Sequence, residues 1–425
     1  MAAAQADARQ GGVMSAPHSK SASTAQPPTR GLILLLSVAT GLSVGTQYYN
    51  QPLLGLIADA FHTGADASLV STATQIGYAL GLVLLVPLGD RIDRRRLILL
   101  QCFGLILAMA SASAAPGLYS LAFASVLVGI FATIAQQIIP LASELASTDS
   151  RERIVAVVTS ALLIGVLLSR TVSGFVGAWF GWRAMFVLGA ALVLLMLLGL
   201  AARLPRSRPA SREPYVELLL SLFVLVRDER ELRRASLTQS LLFFGFSAFW
   251  TILTLLLQGP KFQLTSSAAG MFGVFALVGV VVAPYGVRMA GESAGRIGAA
   301  LVTASFILMI ALVNLVGLVI GAVLMIAGLQ ISLISNQSRI LAAAGSARGR
   351  YNTVFMASQF SFGAAGSSAA SFAWRTGGWT AVMAMAAAAS VAALALQIGR
   401  RHKSRLDAQM ASSTHREFTT QEKQK

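Results

Sequence analysis

Charge is scarce in this chain. Charged residues make up 12% of its 425 residues against 55% hydrophobic, and the mean hydropathy is +0.69. That balance excludes a soluble globular protein of this size and predicts a polytopic membrane protein. The one cysteine, Cys102, lies in an apolar run; it permits no intramolecular disulfide and no paired-cysteine metal site, and reads as a small buried apolar residue. The four histidines, His18, His62, His402 and His415, fall in tails or loops, so no buried nucleophile–histidine pair is implied. A phosphate-binding glycine loop ending in Gly-Lys-Ser/Thr and a His-Glu-x-x-His motif are both missing. The expectation is no enzyme, no cofactor and no metal; an energy-coupling ATPase would be a separate chain. The 17 Asp and Glu all sit in tails, loops or the ends of apolar runs, Asp59 and Glu144 lying nearest the interior.

Apolar runs of about twenty residues, each long enough to cross a bilayer, lie near 31–57, 68–88, 97–114, 118–140, 154–180 and 182–202. A second six follow near 235–258, 267–290, 296–312, 315–340, 351–374 and 378–398. The predicted fold class is therefore an all-α membrane protein of twelve transmembrane helices in two six-helix bundles, residues 31–203 and 235–398. The polar tail 1–30, rich in Ala, Ser, Gln and Pro, is expected to be disordered. It is not a signal peptide, since the apolar run after it is too long and has no cleavage site. Residues 204–234 form a linker whose apolar centre, 218–226, is too short to span; it lies along the interface or extends the helix that enters span seven. A basic tail, 399–425, closes the chain.

The net charge of +16 is a topology signal rather than a nucleic-acid footprint, which would need a solvated basic face with stacking aromatics. With both tails and the loops after even-numbered spans on one side, that side holds 29 of the 33 Lys and Arg. The other side holds Arg183, Lys261 and Arg375, and Arg170 lies within a span. Short cytoplasmic loops accumulate Lys and Arg, so both termini are assigned to the cytoplasm; the cluster at 400–405 can also meet anionic lipid. The halves echo each other: Arg151-Glu152-Arg153 and Gly181-Trp182 recur 197 residues later as Arg348-Gly349-Arg350 and Gly378-Trp379. Paired halves of this kind place a substrate site at their interface near the midplane.

Polar residues are costly in hydrocarbon and mark helices facing protein or water. They recur in the first span of every triplet: Gln47, Asn50 and Gln51; Gln136 and Gln137; Gln239; Gln330, Asn336 and Gln337. Gln75, Arg170, Tyr285 and Gln359 mark spans two, five, eight and eleven, whereas the third span of each triplet is almost free of them and reads as lipid-facing. The candidate pathway is Tyr48, Asn50, Gln51, Gln136, Arg170, Gln239, Trp250, Gln330, Asn336 and Gln359, with Tyr48, Tyr49 and Trp250 as stacking surfaces. Arg170 is the sharpest position, near the bilayer centre with no obvious acidic partner. Two readings stay open: it meets an anionic or strongly accepting substrate in a wet cavity, or it is tied to carbonyls and neighbouring glutamines. Gly174, Gly177, Gly363 and Gly366 allow close helix approach.

The stretch Pro87-Leu88-Gly89-Asp90-Arg91-Ile92-Asp93-Arg94-Arg95-Arg96, between spans two and three, resembles the best-known motif of the major facilitator superfamily. Asp90, Arg91, Arg94 and Arg95 stand at its charged positions, while Val86 stands where a glycine is usual and Asp93 replaces another residue. Gly181-Trp182-Arg183 is similar too, and Tyr48-Tyr49-Asn50-Gln51-Pro52-Leu53-Leu54 resembles bacterial exporters of drugs, sugars or nucleosides. The antiporter motif of span five lacks its Gly-Pro pair and reads Arg170-Thr171-Val172-Ser173-Gly174. The resemblance covers the chain between its tails. It implies a monomeric secondary transporter of a bacterial inner membrane, exporting a small organic solute by alternating access with proton coupling, for which Asp59 and Glu144 are the candidate titrating groups. It further implies a cytoplasmic latch, closed in the outward-open state, in which Asp90 meets the start of span eleven near Asn352 and Arg94 meets Glu144. The alternatives are uptake or exchange of an organic anion recognised by Arg170, and a transport-inactive sensor or channel.

Overall fold

The computed structural model of the chain describes residues 29–147, 149–207 and 213–422. Most of the predicted disordered tail lies outside them, as do residues 208–212 of the linker, and the side chains of the basic cluster at 400–405 are likewise not described. Helices and short 3-10 turns are the regular structure throughout the described residues. Ten stretches are long and apolar enough to cross a membrane. One of them, Arg348–Gly399, contains two spans, because Gly377 and Gly378 leave helical geometry in its middle. With Ser266–Ala290 taken as a helix of its own, the described chain has twelve spans.

The two marker glycines do the same work in each half. Gly181 has φ +81° and Gly378 φ +59°, a backbone region that residues with a Cβ rarely enter. Each ends the fifth helix of its half, and the tryptophan that follows, Trp182 or Trp379, is buried. Trp379 also donates its indole N–H to the Met309 carbonyl at 2.9 Å. The sequence echo is therefore a repeated corner.

Two spans are broken where the sequence predicted continuous helices. Span one runs Arg30–Thr46, passes through a 3-10 turn at Gln51–Leu53, and resumes as Leu54–Phe61. Pro52 sits at the start of that turn, where its missing N–H is tolerated. Span four divides into Leu118–Phe131 and Ile134–Leu145. At the division Thr133 donates its hydroxyl back to the Ile130 carbonyl at 3.0 Å, a bond that bends helices.

Each half has its own apolar core. One gathers Leu36, Leu53, Ile98, Met109, Ile138 and Phe186; the other gathers Phe249, Phe306, Met325, Phe360 and Met383, and reaches across to Tyr78 and Leu82. The linker contains a separate helix, Tyr215–Asp228, which ends at the non-helical Glu229 before span seven begins. Its Leu222 packs with Leu232, Ile340 and Phe355 of the second half while Val216, Leu220 and Phe223 face outward, the two-sided pattern of an interfacial helix. Leu100, Phe103 and Leu107 on span three, and Leu194, Leu195 and Leu198 on span six, point out of the bundle. Tyr285 does too, at 65% exposure. That corrects its assignment to the cavity side of span eight: a tyrosine's amphipathic ring is as much at home on an outer face.

The halves meet closely between spans five and eight. A Cβ on Gly174 would lie 2.6 Å from the Ser266 carbonyl oxygen, so only glycine fits there. Ser266 donates to the Gly174 carbonyl at 3.1 Å and Thr171 to the Gly270 carbonyl at 3.0 Å. Near the same end, Asp66 at the start of span two pairs with Arg375 at the end of span eleven, and Ser371 donates to the Ala65 carbonyl at 2.6 Å.

Candidate functional site

Arg170 lies ten residues before the end of its helix, Arg151–Phe180, about 15 Å along the axis by the helical rise and hence half a bilayer deep. It is 1% exposed. Its Nε donates to Gln51 Oε1 at 2.9 Å and its Nη1 to the Val166 carbonyl at 3.1 Å. The guanidinium lies against two rings, 4.2 Å from the centroid of Tyr48 and 4.4 Å from that of Trp250, with Phe246 at 5.7 Å. Nη2 has no hydrogen-bond partner in the protein. Among the described residues no carboxylate pairs with it; the ion pairs lie at Arg94, Arg227 and Arg375. Each cation–π contact contributes about 0.5–2 kcal/mol, less than the several kcal/mol that desolvating an ion costs.

Arg170 lines a cavity of about 130 Å³ between the halves. The structure brings Tyr48, Gln136, Arg170, Gln239, Gln330 and Gln359 together around it. Gln51 and Trp250 stand behind, as supports of the guanidinium. Gln51 is itself held across the seam, since Thr254 donates to its backbone oxygen at 2.9 Å. Two expected members are elsewhere. Asn50 donates to Thr74 Oγ1 at 2.7 Å, while Asn336 bonds Ser332 at 3.1 Å and Gln397 at 3.0 Å inside the second half. Each amide bonds within its own bundle and away from the cavity, although Asn50 Oδ1 is buried without a partner. The rest of the wall is apolar: Tyr78, Phe243, Phe246 and Phe360, with leucine and valine. The sequence reading missed these aromatics, although Phe243, Phe246 and Trp250 fall on one helical face.

A second cavity, of about 460 Å³, opens at the end that carries the charged loop. It is lined by Asp90, Arg94, Gln137, Glu213 and Arg350, and it shares Gln136 with the central cavity. Arg94 pairs with Asp90 at 2.8 Å and with Glu144, and its Nε donates to the Gly89 carbonyl at 3.2 Å. Asp90 thus takes the arginine one turn on rather than the start of span eleven, while Asn352 accepts from Gln337 at 2.8 Å within its own half. The Asp90–Asn352 contact, expected of an outward-open state, is not made in this arrangement, in which the second cavity opens between the charged loop and span eleven. Arg95 donates to the Ala201 carbonyl at 2.7 Å, and Arg91 is exposed. Glu144 is half exposed, and Asp59 is exposed at the opposite end, remote from the loop.

The profile of the Major Facilitator Superfamily matches residues 36–367. The chain belongs to that superfamily. It is 37% identical to the uncharacterized transporter YgaY of Escherichia coli (strain K12) over 366 residues, covering 83% of this chain and 91% of that protein. It is 34% identical to the transporter SCO4007 of Streptomyces coelicolor, covering 88% and 90%. Among solved structures, the nucleoside transporter NupG superposes with a TM-score of 0.70 at 14% identity, over 86% of this chain and 99% of that one; at that identity it bears on the fold alone. The protein is a multi-pass membrane transporter.

Within this superfamily member, the unusual Asp93 has a structural task. It caps the helix Arg94–Ser113 by accepting from the Arg95 N–H at 2.9 Å, and it also accepts from the N–H and hydroxyl of Ser207 at 3.0 and 3.1 Å. The Ser207 hydroxyl in turn accepts from the Arg94 N–H at 2.8 Å. One carboxylate thereby straps the beginning of the linker to the charged loop. Burial pushes the Asp93 carboxyl up, but the bonds from Ser207 and Arg95 and the charge of Arg96 outweigh it and hold the group below the usual range. A depressed folded value means that the strap is complete above the unfolded aspartate value of about 3.9 and is lost as pH falls through the lower folded one. Asp93→Ala should lower the melting temperature at pH 7 and release residues 204–207 to trypsin about fivefold faster, the scale of a lost helix cap of about 1 kcal/mol. The difference in melting temperature should shrink as the pH of the melts is lowered from the unfolded aspartate value through the lower folded one.

Proposed function

We propose that this transporter works by alternating access, exporting a small organic solute from the cytoplasm with proton coupling. The observation that carries the reading is a central cavity walled by both halves, which shares Gln136 with the vestibule at the charged loop, while at the opposite end the cavity beside Asp66, Ser371 and Arg375 shares no lining residue with it. The charge asymmetry supports a cytoplasmic charged-loop end in a bacterial inner membrane, which makes this an inward-facing arrangement. The outer seal is then the Gly174–Gly270 approach plus a latch in which Ser371 and Arg375, one turn apart on span eleven, both hold the turn at Ala65 and Asp66. Opening outward requires the halves to part there and close at the loop. Asp59 and Glu144 face water at opposite ends and are the candidate proton-coupling carboxylates. A channel would conduct without saturating, and a sensor would bind without flux.

The transport test begins with a thermal-shift screen of nucleosides, sugars, amino acids, organic acids and cationic drugs. A stabilising compound should move against its own gradient in proteoliposomes under an imposed pH gradient, and Arg170→Ala should abolish that movement. Full gradient-driven flux in both Asp59→Asn and Glu144→Gln would remove those carboxylates from the coupling step.

The latch is checked by labelling Gln330→Cys, in a Cys102→Ser background, with an impermeant thiol reagent from outside. A half-exposed ion pair is worth up to about 1 kcal/mol, so Asp66→Asn should raise labelling about two- to fivefold. The exchange Asp66→Arg with Arg375→Asp should restore the slower rate; equal rates in all three proteins would rule the latch out.

A further inference from the structure

The central cavity fits a particular kind of molecule. The Tyr48 and Trp250 rings both stack close on the Arg170 guanidinium, and its Nε and Nη1 each donate to a protein acceptor, Gln51 and the Val166 carbonyl. Nη2 is the one guanidinium nitrogen left as a buried charged donor without a partner. A planar acceptor that carries negative charge is the complement of such a donor, since charge-assisted hydrogen bonds from guanidinium to carboxylate are the strong ones. The other walls are aromatic and aliphatic, so the body of the ligand is apolar. At about 130 Å³ the space is comparable with an engineered apolar cavity of about 150 Å³ that takes up benzene. A cation would meet an uncompensated positive charge in a low-dielectric site, with no carboxylate among the described lining residues to offset it.

We propose that the cavity binds a small organic anion, a carboxylate on a single-ring-sized apolar body, with the carboxylate on Arg170 Nη2 and the body against Tyr78, Phe243, Phe246 and Phe360. From the second half Gln239 and Gln359 each offer a buried amide oxygen that lacks a partner, so a hydroxyl at the far end of the ring is accommodated as well. The class rests on the reading of this cavity as the transport site, and it holds for export or uptake alike. Occupancy also links the halves, because the guanidinium belongs to span five while one of the rings that covers it belongs to span seven.

The test compares three molecules of one shape on the purified full chain in nanodiscs: benzoate, neutral benzyl alcohol and cationic benzylamine, by calorimetric titration at pH 7. Benzoate should bind at least tenfold more tightly than benzyl alcohol, and benzylamine more weakly than either. Arg170→Gln should erase the preference for benzoate and Arg170→Lys should keep part of it; the comparison on the unmodified chain stands even if both variants misfold. Benzyl alcohol or benzylamine binding as tightly as benzoate, or benzoate not binding, overturns the anion class. Flux in proteoliposomes separates this from the transport reading: benzylamine bound and carried would leave a transporter of another class, whereas benzoate bound through Arg170 without flux would leave the site and remove the transport.

Discussion

A guanidinium held half a bilayer deep with no acid to neutralise it is the constraint around which this protein is arranged. Desolvating the Arg170 charge costs several kcal/mol, and the chain answers with hydrogen bonds and stacked rings instead of a counter-ion: Gln51, the Val166 carbonyl, Tyr48 and Trp250. Each of these also fixes something else. Gln51 lies in the broken turn of span one and is held from the other half by Thr254, and Trp250 belongs to span seven. The most expensive side chain in the membrane is thus supported across the seam between the halves. That links the state of the halves to the state of the site.

The halves repeat their corners more faithfully than their polar chemistry. Gly181-Trp182 and Gly378-Trp379 make the same turn in the same place, and the third span of each triplet shows lipid-facing side chains. The charged loop has no counterpart of equal charge in the second half. In its place, the first half carries a compact network of Asp90, Arg94 and Glu144, with Asp93 holding the linker beside it. A strap anchored in one half and a linker helix packed on the other give the connection between bundles a defined path.

Much of the fold was legible in the sequence because hydrocarbon imposes length and charge rules that no soluble core imposes. Apolar runs gave the spans, and the repeated glycine–tryptophan pair gave the twofold organisation. The polar side of the site was legible for the same reason: Arg170, Gln136, Gln239 and Gln359 stand out against leucine and alanine. Its apolar side was not, since Tyr78, Phe243 and Phe360 carry no contrast in a chain that is 55% hydrophobic. Asn336 and Tyr285 show the opposite error, in which a polar atom on a span finds a partner in its own bundle or faces outward. The Asp93–Ser207 strap joins residues 114 apart, and nothing local in either stretch announces it.

The central claim is that Arg170 is kept for what it binds and not for holding the bundle together. The melting temperature of Arg170→Met measures this directly, because methionine fills similar space without a charge to desolvate. The account predicts a melting temperature unchanged or raised, as when buried ions are replaced by apolar residues. A structural keystone would instead lose about 3–5 kcal/mol, a fall of roughly 3–6 °C for a chain of this size, and that result would contradict the account.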